Sequence, residues 1–326
     1  MKKLFFVIYL LSLTFAQSQN GKLSPKFYKD KREVFREKMP ENSVAVLFSA
    51  PIRNRANDVD YVFHQDPNFF YLTGWHQPHS VLMIYKNPQV DELGSFNEKI
   101  YILERDEYKE LWNGKRYSVE AVKKLGFERV NTRNHFMNDI SNLSTYDKVL
   151  MFGFNNDIRN QEDDPFDLFD LKAAFKKAIN FPSSFDRELY TVYQHILEAD
   201  DDSIESIREE VKAHVQLDST LVEDEIIKQF LLYSNNDFFT EVKTKTAFAL
   251  RNFNFDLVTL PQIMKDMREI KSDGEVELIK KAVAISVIGQ KEVMKAMHAD
   301  MTEREIQGIH EFVYRKYGAA DEGYPS

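Results

Sequence analysis

Eight histidines are spread along the chain, at His64, His76, His79, His135, His195, His214, His298 and His310. No two stand four apart around a glutamate, so the helical spacing that would let two imidazoles share one zinc ion is missing. There is also no Gly-x-Ser-x-Gly nucleophile turn and no phosphate-cradling glycine loop. His76 and His79 form the closest pair, in Trp75-His76-Gln77-Pro78-His79. A metal there would need further ligands, and a polar turn between two strands is the favoured reading. With no cysteine in the chain, thiolate catalysis and disulfide staples are both out of reach. Asp200-Asp201-Asp202 lacks the glycine and the spaced carboxylates of a calcium loop, so it reads as a solvated turn that opens the next helix. Ser326 has no identifiable base. No catalytic residue and no metal ligand is assigned from these residues.

The densest polar block is Arg53-Asn54-Arg55-Ala56-Asn57-Asp58-Val59-Asp60-Tyr61-Val62-Phe63-His64-Gln65-Asp66, which runs on through Pro67-Asn68-Phe69-Phe70-Tyr71-Leu72-Thr73-Gly74. Loops of this length inside compact domains usually serve a function. The competing reading is a packed loop in which Arg and Asp satisfy backbone groups. A second block, Asp106-Glu107-Tyr108-Lys109-Glu110-Leu111-Trp112-Asn113-Gly114-Lys115-Arg116, sets one of only two tryptophans beside glycine and arginine. A tryptophan in that setting more often packs in a core or interface than touches a ligand.

The elements that must position these blocks follow from periodicity. Phe27, Tyr28, Val34, Phe35 and Met39 give Ser24 to Met39 the pattern of an amphipathic helix, with Ser24 as cap and Pro25 in the first turn. Val44–Phe48, Phe69–Leu72, Val81–Tyr85, Ile100–Leu103 and Val149–Phe152 have the length and the β-branched or aromatic content of strands. Val119–Leu125, closed by Gly126, reads as a helix. Strands interleaved with helices imply an α/β layer domain over about residues 24–154. From 155 to 264 the spacing turns helical, in Phe166–Ile179, Glu188–Leu197 and Ile204–Val215.

Ser272-Asp273-Gly274-Glu275 and Thr302-Glu303-Arg304-Glu305 are two capping boxes, each opening a helix. Val276, Ile279, Val283, Val287, Val293, Met294 and Met297 lie on one stripe of the first helix, which is expected to bury against a partner layer that this chain does not clearly supply. Ile306, Ile309, Val313 and Tyr317 form the stripe of the second, before Gly318. Two capped helices in succession are expected to open a domain over 265–326 rather than to complete one.

At the N-terminus, Lys2 and Lys3 precede an apolar run from Leu4 to Phe15. At about 12 residues it suits a signal-peptide core and falls short of the roughly 20 that span a bilayer. Thr14-Phe15-Ala16 offers small residues for cleavage after Ala16, so residues 1–16 are expected to be a signal peptide and the protein to be exported, periplasmic or extracellular. Across 326 residues with 43% hydrophobic and 29% charged content, burial is sufficient for two domains. The formal net charge of -9 and the absence of a basic cluster argue against nucleic acid as a partner.

The two polar blocks, together with Met267-Arg268-Glu269-Ile270-Lys271-Ser272-Asp273-Gly274-Glu275 and Gly323-Tyr324-Pro325-Ser326, occur in an order that resembles aminopeptidase P. These are the Xaa-Pro aminopeptidases of the creatinase and prolidase superfamily, metallopeptidase family M24. The chain departs from the family pattern at His64, where arginine is common, and at Pro67, where serine is common. The resemblance implies an α/β fold: a creatinase-like N-terminal domain with a mixed sheet, a helical connecting segment, then the first helices of a pita-bread metallopeptidase domain. It implies removal of the N-terminal residue from peptides with proline in second position, by a homo-oligomer with two divalent metal ions, usually manganese. The metal ligands of the family lie downstream of the Tyr-Pro-Ser segment, so none is carried over, and the fragment alone is expected to hold no metal and to be inactive. Trp112 matches a tryptophan that the family places at the edge of a neighbouring subunit's substrate pocket. The alternatives are a non-catalytic binding or oligomerisation module, or a prolidase.

Overall fold

A computed structural model of the chain describes residues 23–154, 158–159, 167–232, 236–320 and 322–323. The expected signal peptide at 1–16 and the Tyr-Pro-Ser segment lie outside the described residues. The chain divides into two compact units, one of residues 28–267 and one that joins 268–326 to the segment before Tyr28.

In the first unit, α1 (Pro25–Lys38) leads into β1 (Ser43–Phe48), a small hairpin of β2 (Asn54–Ala56) and β3 (Val59–Asp60), and α2 (Pro67–Thr73). The antiparallel pair β4 (Val81–Asp91) and β5 (Gly94–Ile102) follows, then α3 (Glu107–Asn113), α4 (Val119–Lys123), β6 (Arg129–Thr132), α5 (Phe136–Asp139) and β7 (Lys148–Met151). The six-stranded sheet has the order β6-β5-β4-β1-β7-β8, where β8 is Phe255–Asp256. β1 runs parallel to β7, β7 to β8 and β5 to β6, whereas β4 is antiparallel to both neighbours. Five strands therefore point one way and β4 alone points back, which makes the sheet mixed.

Side-chain alternation sorts each strand into two cores. Ala45, Leu47, Leu82, Ile84, Ile100, Ile102 and Leu150 face one layer with Phe35, Met39, Phe69, Leu72 and Val122. Val44, Val46, Val81, Met83, Tyr101, Val149 and Met151 face the other with Phe136, Leu171, Phe175 and Tyr190. Both faces are covered, so β1 reads as an unbroken apolar run.

The expected strand at Phe69–Leu72 is a helix, α2. A four-residue apolar run does not separate the two states by itself, and the flanking residues decide. Asp66 accepts from the amides of Asn68 (3.0 Å) and Phe69 (2.8 Å), Pro67 sits at the first turn, and Gly74 closes the helix at φ 61°. Phe69 and Leu72, three apart, then share the buried face. Gly74 cannot be replaced without moving Tyr28, because a Cβ there would lie 2.4 Å from the Tyr28 ring.

The middle of the chain is helical: α6 (Leu168–Ala178), α7 (Arg187–Glu198), α8 (Ile204–Leu217), α9 (Glu225–Leu232) and α10 (Asn236–Leu250). The last four share a core of Val192, Ile196, Val211, Ile227, Phe230 and Val242. Asp200 forms the expected turn before α8, accepting from the amide of Ser203 (2.8 Å) and its hydroxyl (2.5 Å). Within this stretch the structure adds β8, followed by α11 (Thr259–Glu269), whose Leu260, Ile263, Met264 and Met267 return to the first core.

Asp256 is the joint of that return. Its carboxylate accepts from the amides of Val258 (2.9 Å) and Thr259 (2.7 Å) at the start of α11, and pairs with Lys148 of β7 at 2.9 Å. Burial pushes the carboxyl up, but the Thr259 hydroxyl and amide and the Lys148 ammonium outweigh it and hold it below the usual carboxylate range. A depressed carboxyl stabilises the fold above its unfolded pKa and loses that contribution as pH falls through the folded value. Asp256→Ala is expected to cost about 1–2 kcal/mol near neutral pH, the scale of a lost helix cap. The gap to the parent protein should narrow on acidification in urea melts run at a series of pH values.

In the second unit both capping boxes form, at the heads of α12 (Asp273–Ala296) and α13 (Glu303–Lys316). As expected of a stripe whose partner layer the chain does not clearly supply, most of the α12 stripe is uncovered among the described residues, with Val293 the buried member. Ile279, Val283, Val287, Met294 and Met297 are exposed, and the buried positions are Ile285, Gly289 and Val293. The reason is contact distance. Gly289 carries no side chain, so α13 approaches there until a Cβ would stand 3.1 Å from the His310 ring and 3.3 Å from Tyr314.

Candidate functional site

Because β1, β5, β6, β7 and β8 are co-directional, their carboxyl ends fall on one edge of the sheet, and the loops that leave them gather there. Ligands of such sheets bind at this edge. β1 delivers residues 49–66, β5 delivers 103–117 and β7 delivers 152–154 with 158–159, while β4 begins there after Trp75 to Ser80.

Between the β1 and β7 loops lies a crevice of about 940 Å³. Phe48, Phe63, Phe152 and Phe154 give it an apolar wall, and Arg53, His64, Arg159 and Lys172 border it with nitrogen groups. Lys172 Nζ stands 5.9 Å from the centre of the Phe48 ring, Arg53 donates to the Ile158 carbonyl at 2.6 Å, and Arg159 pairs with Asp170.

Many polar residues of the Arg53–Gly74 block are spent on the loop itself. The Gln65 side chain accepts from the amides of Ala50 (2.8 Å) and Asp66 (2.9 Å) and donates to the carbonyls of Trp75 (3.1 Å) and Gln77 (3.0 Å). Asn54 donates to the carbonyls of Asn57 (3.0 Å) and Val59 (3.3 Å) and so shapes the β2–β3 hairpin. His79, buried with φ 52°, accepts from the Ile52 amide at 3.3 Å, and His76 packs edge-on to Phe70. The turn reading of this histidine pair holds, though the turn joins a helix to a strand. Arg55, Asp58, Tyr61, Val62 and His64 remain exposed on the crevice side of the loop or on the hairpin.

Trp112, the one site residue assigned from sequence, sits on α3, the helix that follows β5. Asp106 caps this helix through the amides of Tyr108 and Lys109, both at 3.1 Å, and Arg105 binds Glu110 in a fork with two bonds of 2.9 Å. That guanidinium holds the Glu110 carboxyl below the usual range. α3 buries none of its side chains, and Trp112 is 78% exposed beside Leu111 and Tyr108. Core packing is thus not its role in this chain. β4 alone separates β5 from β1, so the two loop sets are about 10 Å apart along the edge, two strand spacings. Arg159 and Lys172 had no local signal in the sequence; parallel pairing of β7 with β1 and the packing of α6 on the sheet bring them in.

Residues 28–151 match the family described as the N-terminal domain of aminopeptidase P. This stretch is an aminopeptidase P N-terminal domain. The chain is 35% identical over 111 residues to intermediate cleaving peptidase 55 of Schizosaccharomyces pombe, an alignment that takes in 33% of this chain and 22% of that protein. It is 36% identical over 102 residues to the Xaa-Pro aminopeptidase of Haemophilus influenzae, covering 31% and 23%. Among solved structures, the aminopeptidase PepP of Pseudomonas aeruginosa superposes with a TM-score of 0.58 at 19% identity, over 92% of this chain and 50% of that one. Proline aminopeptidase P II from Yersinia pestis gives 0.57 at 19%, over 91% and 51%. At that identity the likeness shows a shared fold. The chain spans about half the length of these solved relatives and about a fifth of the curated ones.

Proposed function

We propose that this chain is the N-terminal part of an exported, metal-dependent Xaa-Pro aminopeptidase, and that α3 presents Trp112 to the peptide site of a neighbouring subunit. The observation that carries the reading is the aminopeptidase P domain at 28–151 with Trp112 held outward on a capped helix. Two relatives named Xaa-Pro aminopeptidase support the substrate class. A bond before proline needs a dedicated pocket, because the nitrogen is tertiary and φ is fixed, and a flat indole suits a proline ring. The lysines ahead of the apolar run at Leu4–Phe15 support export.

The donor set does not fit the two-metal centre of the family: among the described residues no group of three or more His, Asp or Glu is placed to hold a metal ion. No step of the reaction is therefore assigned to this chain, whose part is to shape and close the peptide site. The exposed apolar stripe on α12 supports the view that further polypeptide covers it.

Two assays test this. The purified 326-residue chain with manganese is expected to leave Xaa-Pro peptides intact, and steady turnover would overturn the assignment of its role. In the complete gene product, Trp112→Ala should lower kcat/KM about tenfold or more, the value of one lost aromatic contact of 1–2 kcal/mol. Unchanged kinetics would remove Trp112 from the site.

A further inference from the structure

We infer that Asn113–Gly114, at the carboxyl end of α3, is a spontaneous succinimide-forming junction that converts Asn113 to aspartate and isoaspartate in the folded protein. The chemistry needs three conditions, and the structure meets each. The attacking backbone nitrogen must be unhindered; Gly114 has no side chain, and nothing lies within 4 Å of where its Cβ would stand. The nitrogen must also be uncommitted. At another glycine-closed helix of this unit, the Gly74 amide donates to the Phe70 carbonyl at 2.7 Å, whereas among the described residues the Gly114 amide has no hydrogen-bond partner.

Third, the Asn113 backbone must leave its helical conformation to bring that nitrogen onto the side-chain carbonyl. α3 is seven residues long, and while Asp106 and the Arg105–Glu110 fork hold its first turn, Leu111, Trp112 and Asn113 of the last turn are all exposed, and a helix end without packing opens readily. Asn113 is exposed, and among the described residues no hydrogen bond to its side-chain amide is present. Gly114, at φ 83° and ψ 167°, already lies outside the helix.

The step balances without an added reagent. The Gly114 nitrogen bonds to Asn113 Cγ, the Cγ–Nδ2 bond breaks, and ammonia departs with the amide proton. Water then opens the ring at Cγ to give aspartate, or at the backbone carbonyl to give isoaspartate, which routes the main chain through the side chain and lengthens it by a methylene. Either product places a carboxylate at the carboxyl end of α3, where the helix dipole disfavours it, one residue from Trp112. The inference does not depend on what Trp112 binds, so the two readings can fail separately.

Trypsin should release Glu110–Lys115 as a single peptide, which makes the test direct. The purified chain is aged in warm, mildly alkaline buffer containing heavy-oxygen water, then digested and resolved by chromatography and mass spectrometry. The expected result is a split of this peptide into two later species with one heavy oxygen each. The rate should lie within about tenfold of the synthetic hexapeptide's, since an unpacked helix end protects by no more than about 1.4 kcal/mol. Asn57, Asn68 and Asn97, each followed by a larger residue, should convert far more slowly. A native protein that keeps Asn113 intact while the hexapeptide is consumed overturns the inference, as does conversion no faster than at Asn57. Asn113→Gln should abolish the new species.

Discussion

Arg32→Ala is expected to destabilise the 28–267 unit by about 3–5 kcal/mol, the cost of leaving a buried carboxylate without its partner. Arg32 is 1% exposed, at the centre of α1. Its Nε and Nη2 bind the two oxygens of Glu98 at 2.6 and 2.9 Å, Nη1 donates to the Leu72 carbonyl at 3.0 Å, and Nη2 donates to the Gly126 carbonyl at 2.9 Å. The guanidinium also lies 4.2 Å over the Phe127 ring. One side chain therefore joins α1 to β5, to the end of α2 and to the turn after α4. Replacing both partners, as Arg32→Met with Glu98→Leu, removes the orphaned charge and should cost markedly less than Arg32→Ala. Trp75 is buried in the same core and Trp112 is exposed. In a Trp112→Phe background the fluorescence of Trp75 reports this unit during urea unfolding. A loss under 1 kcal/mol would show that the clasp is not needed.

Gln65→Leu should cost about 2–4 kcal/mol, because one substitution orphans four backbone groups, each worth up to about 1–3 kcal/mol when it cannot reach water. The side chain is 5% exposed and all its hydrogen-bonding capacity is used between the β1 loop and the turn before β4. Gln65→Glu keeps the shape but sets a carboxylate against the carbonyls of Trp75 and Gln77, which favours the protonated form. Its folded pKa is raised, so the destabilisation is present above the unfolded value and eases as pH falls toward it. A Gln65→Glu variant whose stability loss is the same in acid and at neutral pH would show that those carbonyls have found other donors. Because this amide holds the wall of the crevice, both variants should also loosen the hairpin that carries Tyr61.

These two residues show what was legible. The Arg53–Gly74 block stood out as polar, and its glutamine was visible, yet the sequence offered no way to tell a four-way backbone tie from a ligand contact. That distinction needs Ala50, Trp75 and Gln77 around it, and strand pairing puts them there. Nothing local marks Arg32 out among the charged residues of its amphipathic helix, since its partner is 66 positions away. Trp112 was singled out through motif likeness alone, and its outward setting goes with the cap by Asp106 and the Arg105–Glu110 pair within its own turn of chain.

Signals that act within about four residues were decided by sequence alone. The helix opened by Ser24, both capping boxes, the glycine that ends α4 and the alternation that splits the strands between two faces all depend on hydrogen bonds or side-chain directions set by near neighbours. The tertiary structure decided the rest. Which stripe of α12 is covered and which loops share the carboxyl edge depend on pairings between distant segments. Their free energy comes from packing that no short stretch contains.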